Sequence, residues 1–189
     1  MRRPATPTSV AEPTWLPLGR MRPVTVPQGI WAWLADPGSL TRRVKARCAG
    51  RFRVRVLQQG WGHAWASERR ALGLPGRASA LLREVELLCD GTPWVYARTV
   101  IPAQSLRGGA RRLALLRDRP LGAVLFADPA TTRGWVEIAR LLPAHPIFHA
   151  AVRDVEGERP QVLWGRRTLF HFAGKPLLVN EIFLPTVPL

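Results

Sequence analysis

Two stretches of this chain are confined to one kind of structure. "ASALLREVELLC", the turn "DGTP" and "WVYARTVIP" read as a β-hairpin; "VLWGRRTLFHF", "AGKP" and "LLVNEIFLP" read as a second. In both, runs of Leu, Val, Ile and Phe are bounded by Gly and Pro at turn positions, a pattern that suits strands and breaks helices. "GTPWVYARTVIP" (91–102) also aligns without a gap on "GKPLLVNEIFLP" (174–185). Gly91 matches Gly174, Pro93 matches Pro176, Pro102 matches Pro185, and Arg98 falls opposite Glu181. Related hairpins of this kind belong in one antiparallel sheet. Apolar helical segments then have to cover it, which predicts an α+β domain with helices packed on one face.

With 189 residues the chain has the length of a single domain with a proper core. Residues 1–27, rich in proline and without periodicity, read as an extended, mobile N-terminal arm; 28–189 form the domain. "GIWAWLADPGSLTRRVKAR" predicts two short helices broken at Pro37-Gly38, with Ser39 near the start of the second. A strand is expected over 51–57, and the spacing assigns nothing firm to "QGWGHAWASERRALGLPGR". "GGARRLALLRDRPLGAVLF" and "PATTRGWVEIARLL" have helical spacing, with Asp128 or Thr131 as caps. Residues 143–161 read as a loop insertion, and Trp94 and Trp135 as core aromatics.

The formal charge of +15, from 28 Lys and Arg against 13 Asp and Glu, points to an anionic partner. The densest basic patch, "RRVKARCAGRFRVRV", alternates so that Arg51, Arg53 and Arg55 share one face and Phe52, Val54 and Val56 the other. That is the pattern of a sheet with a wet side, and no nucleic-acid-binding motif accompanies it, so no nucleic-acid partner is expected. No apolar run is long enough to span a bilayer, and the first residues lack the apolar stretch of a signal peptide. Cys48 and Cys89 have no metal-ligand spacing and read as reduced thiols of a cytoplasmic protein.

Two charges break the alternation. In the last strand, one face carries Leu177, Val179, Glu181 and Phe183, the other Leu178, Asn180, Ile182 and Leu184, so Glu181 is at least partly buried on either choice. In "LLREVELLC", Arg83 shares its face with Leu81, Val85, Leu87 and Cys89, whereas Glu84 and Glu86 lie on the face that water can serve. A buried guanidinium keeps its charge and has to meet an anion. Glu181 is one candidate; the carboxylate of a bound ligand is the other. His145 and His149 are separated by Pro146 and lack a third ligand, so no metal site is expected. No cofactor fingerprint is present.

"LLREVELLCDGTPWVYARTVIP", "RPLGAVLF", "LWGRR" and "GKPLLVNEIFLP" together resemble the chorismate lyase (chorismate–pyruvate lyase) family, in order and spacing, from about residue 28 to the end of the chain. The resemblance implies helices covering a buried ligand pocket in the sheet. It also implies conversion of chorismate to 4-hydroxybenzoate and pyruvate without cofactor or metal, by a cytoplasmic protein more often monomeric than oligomeric. Matched motif by motif, the ligand contacts fall on Arg83, Glu181, Leu121 and Leu40, with Arg83 and Glu181 carrying the chemistry. Arg83 would hold the ring carboxylate. Glu181 would act as acid, as base, or by positioning the substrate. Leu40 stands where methionine is familiar, and Ala97 where glycine is. The alternative implied by the same fold is a non-catalytic domain that binds a small carboxylate, of the effector type.

Overall fold

The computed structural model describes residues 11–155 and 157–189. Strand β1 (Leu16–Pro17) leads into helices α1 (Gln28–Leu34) and α2 (Leu40–Arg47). Strand β2 (Phe52–His63), helix α3 (Ala66–Leu72) and the hairpin β3 (Ser79–Cys89) and β4 (Thr92–Pro102) follow. A 3₁₀ segment, Gly108–Leu115, precedes α4 (Leu121–Ala127), β5 (Thr132–Leu141) and α5 (Pro146–Ala151). The hairpin β6 (Leu163–Phe172) and β7 (Lys175–Phe183) closes the domain. All seven strands form one antiparallel sheet in the order β1-β5-β6-β7-β4-β3-β2. The α+β architecture is therefore the one expected, with the two hairpins meeting at its centre through β4 and β7.

Both hairpins turn on two residues of positive φ, Asp90-Gly91 (47° and 82°) and Ala173-Gly174 (51° and 72°), whose twist matches that of the flanking strands. They differ just beyond the turn. In the first, Leu88 pairs with Pro93 but Leu87 pairs with Val95, so Trp94 is the extra residue of a bulge. The second runs in regular register from Phe172↔Lys175 to Trp164↔Phe183. One extra residue turns every later side chain to the other face. Arg98, aligned with Glu181 in the sequence, therefore points away from it.

On one face α1, α2 and α4 cover the sheet, burying Trp33, Leu34, Leu40, Val44 and Leu125 against Val85, Leu87, Val95 and Val179. The opposite face is covered too. There α3 and α5 pack on Leu82, Val100, Tyr96, Leu178 and Ile182. Glu84 and Glu86, expected in water, are consequently buried, at 5% and 1% exposure. Each has found a cation. Arg98 donates to Glu84 at 2.7 Å and to Glu68 of α3 at 2.9 Å, and its guanidinium lies 4.0 Å from the Trp65 ring centre. Burial alone would lower the pKa of Arg98; the bonds to Glu68 and Glu84 outweigh it and raise it. Arg55 reaches Glu86 from the edge strand β2, whose Arg53 and Arg55 are exposed as the alternation predicts.

Five further expectations are corrected or extended. "TRGWVEIARL" is strand β5, not a helix: Thr132, Val136 and Ile138 are β-branched, and β6 offers a full ladder of partners. A bulge between Arg133 and Val136 leaves Trp135 at 38% exposure, outside the core. Cys48 and Cys89, expected as separate thiols, are joined in a disulfide with a Cα–Cα distance of 5.6 Å, because the β2–β3 pairing brings the end of α2 beside the end of β3. The 143–161 stretch contains α5, whose Ile147 and Phe148 are buried. The first ten residues of the proposed arm lie outside the described residues; from Glu12 onward it is held to the body by β1 pairing with β5 and by Ser67 N–H donating to Glu12.

Candidate active site

The covered face of the sheet carries two polar rungs. Arg83, Thr99, Val179 and Thr168 are successive cross-strand neighbours on β3, β4, β7 and β6. The next rung on the same face is Val85, Ala97, Glu181 and Arg166. These eight residues line a cavity with about 50 Å³ of water-accessible space, roofed by Leu40 and Thr41 of α2 and by Leu121, Gly122 and Leu125 of α4. The two roof helices meet closely: a Cβ placed on Gly122 would lie 3.0 Å from the Thr41 hydroxyl. Arg83, Glu181, Leu40 and Leu121, singled out from the sequence, are thus brought to one cavity.

Arg83 is 2% exposed, and burial lowers its pKa, with the charge of Asp118 opposing the shift. Its guanidinium donates to Gln59 Oε1 (2.9 Å) and to the backbone carbonyls of Arg117 (2.6 Å) and Arg119 (3.3 Å), all neutral acceptors. Among the described residues no carboxylate comes within ion-pair distance. Glu181 is engaged elsewhere. Its Oε2 accepts from Arg166 Nε at 2.5 Å, while Arg166 also donates to the carbonyls of Trp33 (3.2 Å) and Asp36 (2.8 Å). Of the two anions open to Arg83 in the sequence, Glu181 is therefore taken, and the ligand carboxylate remains.

Sequence reasoning missed Arg166, Arg133, Thr99 and Thr168, all of which line the cavity. Arg166 could have been found as Arg83 was, because "RRTLFHF" sets it on one face with Thr168, Phe170 and Phe172. Arg133 lay in the segment misread as helix. In the structure it donates to the carbonyl of Pro37, in the α1–α2 connection. Burial and neighbouring Arg166 lower its pKa; Glu181 and Asp36 oppose them. Three guanidiniums and one carboxylate leave the cavity with a formal charge of two positive units, complementary to a dianion.

The profile of the family described as Chorismate lyase matches residues 10–189. The chain belongs to the chorismate lyase family. It is 45% identical over 168 residues to the "Probable chorismate pyruvate-lyase" of Azoarcus sp. (strain BH72), covering 87% of this chain and 88% of that one. The protein of the same description from Methylococcus capsulatus is 47% identical over 156 residues, covering 82% and 94%. Among solved structures, the effector domain of PhnF from Mycobacterium smegmatis superposes with a TM-score of 0.56 at 17% identity, over 78% of this chain and 89% of that one, a likeness of fold alone.

Between Arg83 and Arg166 the floor of the cavity is formed by the sheet. Ala97 and Thr99 on β4 and Val179 on β7 are the small side chains there, and Ala97 is 8% exposed. Thr25, Pro27 and Trp164 line a separate, more open cleft whose one charged lining residue, among those described, is Arg140.

Proposed function

We propose that this protein eliminates pyruvate from chorismate to give 4-hydroxybenzoate, the first committed step towards ubiquinone in bacteria. The observation that carries this reading is the division of labour between the two arginines. Arg166 neutralises and orients Glu181, and Arg83 keeps its charge for a ligand. Chorismate has two carboxylates, which suits the doubly positive cavity. Its ring carboxylate would take Arg83 in a charge-assisted grip, stronger than the carbonyl contacts it replaces or shares.

With the ring so placed, the C4 substituents fall towards Glu181. The reaction breaks the C3–ether bond and the C4–H bond; the electron pair of the latter completes the aromatic ring, and enolpyruvate leaves and becomes pyruvate. Aromatisation supplies driving force, so the protein's work is placement, exclusion of water and proton management. Among the described residues Glu181 has Oε2 bound to Arg166 and no hydrogen bond to Oε1, which favours the acceptor roles left open by the sequence: taking the 4-hydroxyl hydrogen bond and guiding loss of the C4 proton. Donation to the ether oxygen fits this geometry less well.

Absorbance of 4-hydroxybenzoate formed from chorismate tests the reading. The unaltered protein should turn over. Arg83→Ala should weaken binding and lower kcat/KM by at least about thirtyfold. Glu181→Ala should act on kcat, by about a hundredfold or more. An inactive unaltered protein that still binds 4-hydroxybenzoate would instead favour the effector-type alternative, to which the PhnF likeness lends the fold. We further infer a monomer working in the cytoplasm; a sedimentation run showing a stable dimer would overturn the first, and export of the chain the second.

A further inference from the structure

Two polar atoms in the cavity have nothing to do. Thr168 is 1% exposed, yet among the described residues its Oγ1 has no hydrogen-bond partner; the Nε of Arg133 is buried and likewise unbonded there. Buried donors are seldom left so, because each costs its full desolvation without return. Arg133 spends its terminal nitrogens on the carbonyls of Asp36 and Pro37, and no carboxylate forms an ion pair with it among the described residues.

Their position gives these atoms a use. Thr168 is on β6, opposite Val179, so it is the diagonal neighbour of Glu181 on the same face. Arg133 stands on β5 opposite Phe170, one strand further from Arg83. From β3 to β6 there are three strand spacings, roughly 14 Å between backbones. Arg83 therefore approaches the cavity from one side, and the Arg133–Thr168 pair from the other, with Glu181 between.

We propose that Arg133 Nε–H and the Thr168 hydroxyl form a second carboxylate subsite, which holds the enolpyruvyl carboxylate of the substrate. The inference rests on the proposed function. If the ring carboxylate is on Arg83 and the 4-hydroxyl is at Glu181, the side chain on C3, next to C4, has to lie beside Glu181, on the flank where both orphan donors sit. A carboxylate there accepts one hydrogen bond from each and meets a cation that lacks an anion. The subsite also separates substrate from product: 4-hydroxybenzoate has the ring carboxylate but not this one. Holding the second carboxylate would orient the C3–O bond for cleavage, and the grip on the aromatic product would rest on Arg83 alone.

The test compares the two ligands in Thr168→Val, which keeps shape and removes only the hydroxyl, with Arg133→Gln as a second variant. Steady-state kinetics with chorismate and calorimetric titration with 4-hydroxybenzoate are measured on each full-length protein, after thermal melts confirm folding. The expected result is a loss of about tenfold or more in kcat/KM for chorismate, with affinity for 4-hydroxybenzoate within about twofold of the unaltered protein. Arg83→Ala should weaken both ligands. Equal losses for chorismate and 4-hydroxybenzoate in Thr168→Val, or no loss for either, would overturn the subsite. Absence of turnover in the unaltered protein would overturn the proposed function instead, and the two failures are read separately.

Discussion

Arg166 and Glu181 are cross-strand partners on β6 and β7, joined at 2.5 Å on the covered face of the sheet. Arg83 holds the corresponding place in the first hairpin, with neutral Thr99 opposite it on β4. One arginine of the pair is satisfied within the fold and the other is not. On that asymmetry, produced by two hairpins of related sequence, rests the proposal that Arg83 binds a ligand carboxylate.

Arg166 should act by positioning Glu181. Arg166→Met is expected to lower kcat about tenfold to a hundredfold, the worth of a hydrogen bond to a charged group, with a smaller change in KM. Arg166→Lys should recover part of kcat. If Arg166→Met merely lowered the folded fraction, leaving kcat per folded molecule intact, the residue would be a structural brace only.

The second face should prove equally demanding. Arg98 is 3% exposed and serves both Glu68 and Glu84, with Asn180 Nδ2 donating to Glu68 at 3.0 Å. Arg98→Ala would leave buried Glu68 without its bonded cation and Glu84 with only Arg153 at 4.0 Å, at a cost of about 3–5 kcal/mol. Urea unfolding of the variant should show it; a loss below about 1 kcal/mol would mean that water reaches the network.

The Cys48–Cys89 bond closes a chain separation of 41 residues and ties the end of α2, which helps to roof the cavity, to β3. By the loop it closes, the bond should stabilise the oxidised protein by roughly 2–4 kcal/mol over Cys48→Ser. Denaturant curves with and without reductant measure this. Alkylation of the protein in freshly lysed cells reports which form exists in the compartment where it works, since a reducing cytosol opposes the bond.

His145 stands at the N-cap position of α5, and its Nδ1, which makes no bond to the helix, accepts from Leu142 N–H at 3.0 Å. Burial holds its pKa below the ordinary 6.5. The unfolded chain therefore binds this proton more tightly. The contribution of neutral His145 to stability is complete above pH 6.5 and is lost as the pH falls through the lower folded value. Melting temperatures between about pH 7.5 and about pH 5 should fall less for His145→Asn, whose amide oxygen can accept the same bond without titrating. Identical slopes would remove His145 as the cause.

Much of this molecule is legible along the chain. The alternation in "LLREVELLC" and "LLVNEIF" set Arg83 and Glu181 among the apolar side chains with which they share a face, because a strand's period of two is a local property and no bulge interrupts it between Leu81 and Leu87 or between Leu177 and Phe183. Ser39 at the start of α2 and the Asp90-Gly91 turn were readable for the same reason: caps and turns act within four residues. "TRGWVEIARL" was misread because a short apolar run fits either period, and only the partner strand β6 decides between them.

What the sequence determined by itself is which residues are out of keeping with their neighbours: a cation and a carboxylate set among apolar side chains. What only the tertiary structure decided is who meets whom. The bulge at Trp94 sends Arg98 to the far face, α3 and α5 bury Glu84 there, and β6 brings Arg166 to Glu181. Pairing across strands depends on register and on what covers each face. Both are set by contacts between segments far apart in the chain, as in Arg166 bonding Trp33 across 133 residues, and no local pattern contains them.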